Sequence, residues 1–76
     1  MSIAEIIATI PAPVFFLIWD NPDGTDGDAK FLNNAIGRAA AAKLYDSLNV
    51  PFKKVVYETA HGDVDLAKFI NPDFID

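Results

Sequence analysis

Hydrophobic residues occur along this chain in blocks that alternate with polar, turn-forming stretches. Ser2 and Glu5 have the spacing of a capping box, and isoleucines then recur at helical intervals, which predicts a first helix over residues 3 to 9. Two prolines follow and end that helix. The next block, Val14 to Trp19, contains only apolar residues of mostly β-branched and aromatic type. This composition predicts a strand that is buried on both faces.

The segment from Asp20 to Asp28 is rich in Asp and Gly and contains an Asn-Pro step, so it predicts a loop that brings Asp26 or Asp28 to a helix N-cap. A long helix over about residues 29 to 48 is then expected, because apolar residues recur there with i, i+3, i+4 spacing. The predicted buried stripe of this helix consists of Leu32, Ala35, Ile36, Ala39, Ala40, Leu44 and Leu48.

Residues 52 to 59 predict a second strand, and Asp63 is placed to cap a last short helix that ends before Asn71-Pro72. The predicted order is therefore α-β-α-β-α. A strand, a crossover helix and a second strand in one sheet are expected to pair in parallel. We therefore predict one small domain over residues 1 to 76 of the α/β class, or α+β if the sheet is completed antiparallel.

A two-stranded sheet is marginal on its own, and each of its edges would present unpaired backbone groups to another chain. The sequence therefore predicts that a partner strand completes the sheet. That strand would come from a second copy, which makes a homodimer, or from a different protein.

Composition and charge narrow the classes of function. The 76 residues carry a net charge of −5, with no Cys and one His. An acidic chain lacks the clustered Lys and Arg that direct binding to nucleic acid requires, and the absence of Cys removes thiol redox chemistry and thiolate metal sites. The longest uncharged run, Ile6 to Trp19, is too short to span a bilayer. We expect no cofactor, no membrane association and a cytoplasmic location.

The acidic residues are unevenly distributed. Residues 20 to 28 carry a charge of −4, residues 29 to 54 carry +4, and residues 61 to 76 carry −3. In a parallel unit the loops after both strands emerge at one edge, so the acidic loops would meet there. Turns and helix caps account for part of this Asp content, and the excess favours a basic protein surface or a hard cation. The candidate partner-binding residues are Asp20, Asp23, Asp26, Asp28, Asp63 and Asp65.

The spacing within the Asp-rich loop departs from known cation loops. A calcium loop of the EF-hand type needs oxygen ligands at positions 3 and 5, where a loop starting at Asp20 has Pro22 and Gly24. We therefore predict no metal site.

Two resemblances bear on an enzymatic function. A hydrophobic strand, Asp20 and then Asp23-Gly24-Thr25 resembles the haloacid dehalogenase signature of strand and D-x-D-G-T, which implies a nucleophile and a general acid. Here two residues rather than one separate the Asp pair, and the chain is far shorter than that catalytic core, so the roles are not carried over. The strand, helix and strand ending in residues 48 to 52 is similar to the first half of a glutaredoxin, which implies architecture alone because the redox Cys pair is absent.

The sequence thus predicts a non-enzymatic, acidic protein-binding module. The expected mode of action is inhibition by covering a basic, nucleic-acid-handling surface, as phage proteins of the anti-host or anti-CRISPR type do; this analogy rests on size and charge. Two alternatives remain. One is a structural subunit whose sheet is completed in an assembly, and the other is a metal-dependent phosphohydrolase-like enzyme that uses Asp20 and Asp23.

Overall fold

The computed structural model describes residues 2 to 74 and contains two α-helices, four strands and a short 3-10 helix. Helix α1 spans Ile3–Ile7 and strand β1 spans Val14–Asp20. Strand β2 spans Asp26–Leu32, and helix α2 spans Ala35–Ser47. The remaining elements are β3 over Phe52–Thr59, β4 over Gly62–Ile70 and the 3-10 helix over Pro72–Phe74.

The four strands form one antiparallel sheet in the order β2-β1-β3-β4. The expected parallel core is therefore wrong, and the fold is α+β. The physical reason is local: β1 and β2 form a hairpin, β3 and β4 form a second hairpin, and α2 joins them. The crossover from β2 to β3 then brings β3 beside β1 in the antiparallel sense. The chain supplies the outer strands itself, so the premise for a borrowed strand is also wrong.

Helix α1 begins as the capping box predicts, since Ser2 Oγ accepts a hydrogen bond from the Glu5 backbone N–H at 3.3 Å. The predicted strands at residues 14 to 19 and 52 to 59 are confirmed. Strand β1 is buried on one face only, because Phe15 and Leu17 are buried while their neighbours along the strand are half-buried.

The long helix expected over residues 29 to 48 is wrong in its first part. Residues 29 to 32 belong to β2, in which partly buried and exposed positions alternate with the period of a strand. Asn34 caps the helix instead of Asp26 or Asp28, because Asn34 Oδ1 accepts from Gly37 N–H at 2.7 Å. Asn33, between β2 and α2, donates hydrogen bonds to the carbonyls of Ile10 and Ala12 and so connects this segment to the loop before β1.

The predicted stripe of α2 is confirmed only at its end, where Leu44 and Leu48 are partly buried and pack against the core, and it is wrong at Ala35, Ile36, Ala39 and Ala40, which are exposed. Ile36 is 83% exposed, and the residues of this helix that are buried are Ala41 and Tyr45. The last predicted helix is strand β4, in which Asp63 pairs with Glu58 of β3 rather than capping a helix. Its hairpin turn uses Gly62 at φ +115°, a conformation that favours glycine.

Both helices cover the same face of the sheet. Ile7, Ala41 and Tyr45 form one buried cluster with Phe15 and Leu17, together with other residues from the same face of the sheet. The second face is covered by neither helix, and we call it the open face. It presents the alternate residues of β1 and the residues paired with them.

A buried cation connects the sheet to the end of α2. Lys53 is 7% exposed, and its Nζ donates to the backbone carbonyl of Tyr45 and, at 3.1 Å, to that of Leu48. The ammonium also lies 4.3 Å from the centre of the Tyr45 ring and 5.1 Å from that of Phe69. Carbonyls at a helix C-terminus lack intrahelical donors and carry partial negative charge. The Lys53 ammonium supplies both a hydrogen-bond donor and a positive charge to them. Burial lowers the pKa of Lys53, and the nearby Asp46 partly opposes that shift.

We predict that Lys53→Met lowers the free energy of unfolding by about 2 kcal/mol, since two carbonyls lose a charged donor while the side-chain volume is kept. Urea denaturation would measure the change. The control is Lys43→Met, at an exposed position of α2, and it should change stability little. Equal stability of the two variants would contradict the role assigned to Lys53.

Candidate functional site

The Asp-rich segment is a hairpin tip rather than a loop before a helix. Asp20 ends β1, Asp26 begins β2, and the two residues are direct cross-strand partners. Asp28 follows on β2 as the partner of Ile18, on the same open face. Asp23 lies in the turn between the strands. We call Asp20, Asp23, Asp26 and Asp28 the acidic hairpin, and all four are exposed.

The turn of this hairpin is held by side-chain hydrogen bonds. Asp23 Oδ1 accepts from the Thr25 backbone N–H at 3.0 Å and from Thr25 Oγ1 at 2.6 Å. Asn21 donates through Nδ2 to Thr25 Oγ1, and its Oδ1 accepts from Trp19 Nε1, each at 3.1 Å. Gly24 takes φ +88°, as a tight turn of this kind requires. The tip therefore has a defined shape, which favours recognition by a rigid surface.

Trp19 attaches the hairpin to the helix-covered face. Its indole lies against the backbone of its cross-strand partner Gly27, so closely that a Cβ at position 27 would stand 2.1 Å from the ring. Only glycine fits under the ring without moving it. The glycine in β2 thus serves close packing rather than flexibility.

An open depression of about 550 Å³ lies beside the acidic hairpin on the open face. Asp20, Asp26 and Asp28 line it, together with apolar surface from Ile18 and Phe52 and the cationic side chain of Lys54. Lys54 is turned toward β4, where its Nζ lies 3.6 Å from Asp65 Oδ1. Three exposed aspartates therefore line one partly apolar concavity.

The structure separates the six predicted site residues. Asp63 lies at the turn between β3 and β4, which antiparallel pairing places at the opposite end of the sheet from the acidic hairpin, about 20 Å away by strand rise. Asp65 lies on the open face, but Lys68 and Lys54 neutralise it at 3.0 and 3.6 Å. The expectation that all six carboxylates meet at one edge is wrong, because it depended on a parallel sheet.

Sequence reasoning missed the basic and apolar residues of this region. Lys54, Ile18 and Phe52 line the depression, and none of them was a candidate. The available signal was the alternation of charged residues with small or apolar ones over residues 26 to 31, which indicates a second strand beside β1.

Several observations concern other kinds of site. Within residues 2 to 74, no group of three or more His, Asp or Glu side chains is arranged to hold a metal ion. His61 lies exposed in the turn before β4. In the same described part of the chain, neither helix has the length and apolar character needed to cross a bilayer.

Comparisons of the chain with protein-family models, with curated proteins and with solved structures each return no match.

Two hydrogen bonds from Thr25 lower the pKa of Asp23 from its ordinary value of 3.8, the side-chain bond contributing most. A depressed carboxyl pKa stabilises the folded hairpin above the ordinary value, and this contribution is lost as pH falls through the folded pKa. Thr25→Val removes the side-chain donor but keeps the backbone one.

We predict that Thr25→Val raises the pKa of Asp23 toward 3.8, as measured by NMR titration of its side-chain carboxyl carbon. Thr9→Val, in the exposed turn after α1, is the control and should leave this titration unchanged. An unaltered Asp23 pKa in Thr25→Val would show that the hydroxyl bond does not form in solution.

Proposed function

We propose that this protein is a non-enzymatic binding module whose acidic hairpin contacts a basic surface of a partner protein. The observation that carries the proposal is that Asp20, Asp26 and Asp28 line one concavity. Both ion pairs found within residues 2 to 74 involve Asp65, so the acidic hairpin keeps its charge available to a partner.

The pairing of Asp20 with Asp26 supports this proposal. Like charges directly opposite each other across two strands destabilise a sheet. A guanidinium or ammonium from a partner would remove that repulsion on binding. An arginine suits the depression well, because its planar guanidinium can donate hydrogen bonds to two carboxylates while its methylenes pack on Ile18 and Phe52.

The class of partner follows from charge complementarity. Surfaces that handle nucleic acids are dense in Lys and Arg, and a rigid acidic protein can compete with the phosphate backbone for them. We therefore propose inhibition of such a partner by covering its basic surface, in the manner of phage anti-host or anti-CRISPR proteins. The charge and shape of the hairpin support this mode of action; the identity of the partner rests on analogy.

The hydrolase alternative receives less support from the hairpin. In that mechanism Asp23 would act as the general acid, which requires a protonated carboxyl near neutral pH. Thr25 instead stabilises the ionised form and lowers the Asp23 pKa. Asp23 Oδ1 is also occupied by both Thr25 donors.

The structural-subunit alternative depended on an incomplete sheet. The chain provides four strands of its own, so β-strand addition is no longer needed to complete the fold. Its outer strands β2 and β4 still have free edges within the described residues, but β4 is interrupted by an irregularity opposite Val55 and Val56, which disfavours a regular added strand.

We predict that Asp23→Lys with Asp26→Lys slows association with the partner and flattens the salt dependence of the association rate. The reason is that a field of opposite sign accelerates encounter and salt screens it, the Debye length being about 10 Å at 0.1 M and about 3 Å at 1 M. The partner would first be isolated with the wild-type protein from the native host. Stopped-flow kinetics at several salt concentrations would then compare the variants.

The matched control is Glu58→Lys with Asp63→Lys. It changes the net charge by the same amount, at two exposed positions at the opposite end of the sheet. Equal slowing by both double variants would mean that net charge rather than the acidic hairpin governs association. An unchanged rate in Asp23→Lys with Asp26→Lys would remove the hairpin from the interface.

A further inference from the structure

The open face carries charges at its outer positions around a centre of three apolar residues and Lys54. Across the middle of the sheet, the register aligns Lys30, Phe16, Val56 and Asp65 in one row. The next row on the same face, nearer the acidic hairpin, contains Asp28, Ile18, Lys54 and Lys68.

The four outer positions of these rows alternate in sign. Lys30 and Asp28 lie on β2, while Asp65 and Lys68 lie on β4. Going around the face, the charges are positive, negative, positive and negative. The 3.0 Å ion pair between Lys68 and Asp65 shows that the two β4 groups lie close together beside the apolar centre.

Such a pattern is complementary to itself. A two-fold axis that lies in the plane between two facing sheets, and crosses the strands at the level of Leu17, exchanges the two rows. Asp28 of one copy then faces Lys30 of the other, and Phe16 faces Ile18. Val56 faces Lys54, and Asp65 faces Lys68, but Asp65 is already paired with Lys54 and Lys68 of its own copy, so the new charge contacts are chiefly the two between Asp28 and Lys30. Facing sheets pack about 10 Å apart with nearly aligned strands, which is within reach of these side chains.

We propose that the open face binds a second copy of this chain, as a two-fold dimer with its axis across the strands. The proposal concerns the middle of the open face, which shares Ile18, Asp28 and Lys54 with the depression beside the acidic hairpin, so a second copy and a basic partner would compete for that depression. The dimer is tested on the chain alone, so its outcome is separate from the outcome of the proposed function. Val56 is only 4% exposed in the single chain, so it would lose little further surface in a dimer. Half-buried Phe16 and Ile18 provide the apolar surface that a partner sheet would cover.

A second axis, along the strands, would also match the charges, but it places the two acidic hairpins at the same end of the dimer. Each copy carries a net charge of −5, and the hairpin segment contributes −4 of it. The axis across the strands sends the hairpins to opposite ends, which reduces their repulsion. It also leaves each hairpin tip in solvent.

The size of the face sets the expected affinity. Four strands about 4.8 Å apart and about seven residues long give roughly 440 Å² of flat area on each copy. Contacts of this size lie at the low end of specific interfaces. We therefore expect reversible, micromolar dimerisation.

Sedimentation velocity and light scattering on the chain alone would test the proposal. The wild type should show a concentration-dependent dimer. Asp28→Lys should raise the dissociation constant by at least about tenfold, because it places Lys opposite Lys twice. Asp28→Lys combined with Lys30→Asp keeps the net charge and restores opposite signs across the axis, so it should recover most of the wild-type affinity.

The double variant also distinguishes the two axes. With an axis along the strands, position 28 would face Lys68 and position 30 would face Asp65, so the exchange would create repulsion and abolish the dimer. Loss of the dimer in the double variant would therefore overturn the proposed axis.

Phe16→Glu tests the apolar centre, and Ile36→Glu is its control, because Ile36 is an exposed apolar residue of α2 on the other side of the sheet. Phe16→Glu should abolish the dimer and Ile36→Glu should not, with circular dichroism confirming that both fold. A wild-type monomer at high micromolar concentration, or a dimer that survives Phe16→Glu, would overturn the proposal and leave this face to a different protein.

Discussion

The antiparallel pairing of β1 with β3 determines where every charged group of the sheet lies. It places the β1–β2 turn at one end and the β3–β4 turn at the other. The acidic hairpin is thereby separated from Asp63, and Lys54 of β3 comes to lie beside Asp65 on the open face. The same pairing aligns Phe15, Leu17 and Val55 on the single face that both helices cover. A parallel pairing would have produced a single acidic edge and a different molecule.

Lys53 connects the sheet to the C-terminal end of α2, which packs above it. A buried ammonium is costly unless it is fully hydrogen-bonded, and here the C-terminal carbonyls of α2 and two aromatic rings receive it. Lys53 is adjacent in β3 to Lys54, and the alternation of a strand sends the two side chains to opposite faces. One lysine therefore stabilises the helix–sheet contact, while the next contributes charge to the open face. A pair of neighbouring lysines has two unrelated physical roles.

The sequence was sufficient for the parts of the fold that local chemistry dictates. The capping box of α1 and the apolar composition of β1 and β3 each specify one conformation, and these elements lie where they were predicted. Residues 29 to 32 and 63 to 70 contain alanine, leucine and lysine, which suit a helix, and helical spacing can be found in them. In the folded chain they are strands because β1 and β3 each offer an edge to pair with, and this tertiary contact outweighs weak local preference. The neighbours of Asp23 in the sequence identify it as a turn residue. The distance of Asp63 from the acidic hairpin and the ion pairs of Asp65 follow from the strand register, which cannot be read from the sequence.

The open face of the sheet, which the helices leave uncovered, has an unusual distribution of charged and apolar residues. The open face here is neither uniformly polar, as a solvated face would be, nor uniformly apolar, as a buried one would be. Its apolar residues lie in the middle, its charges alternate around them, and its acidic excess is concentrated at the hairpin end, where Asp20 opposes Asp26. Charges that alternate suit a surface that meets its own copy, because a two-fold axis turns each sign toward its opposite. Charges of one sign suit a surface that meets something different, because two copies of it repel. The two regions of the open face therefore point to two kinds of contact. Because the strand register makes them share Ile18, Asp28 and Lys54, a second copy and a basic partner would compete for the same side of the sheet.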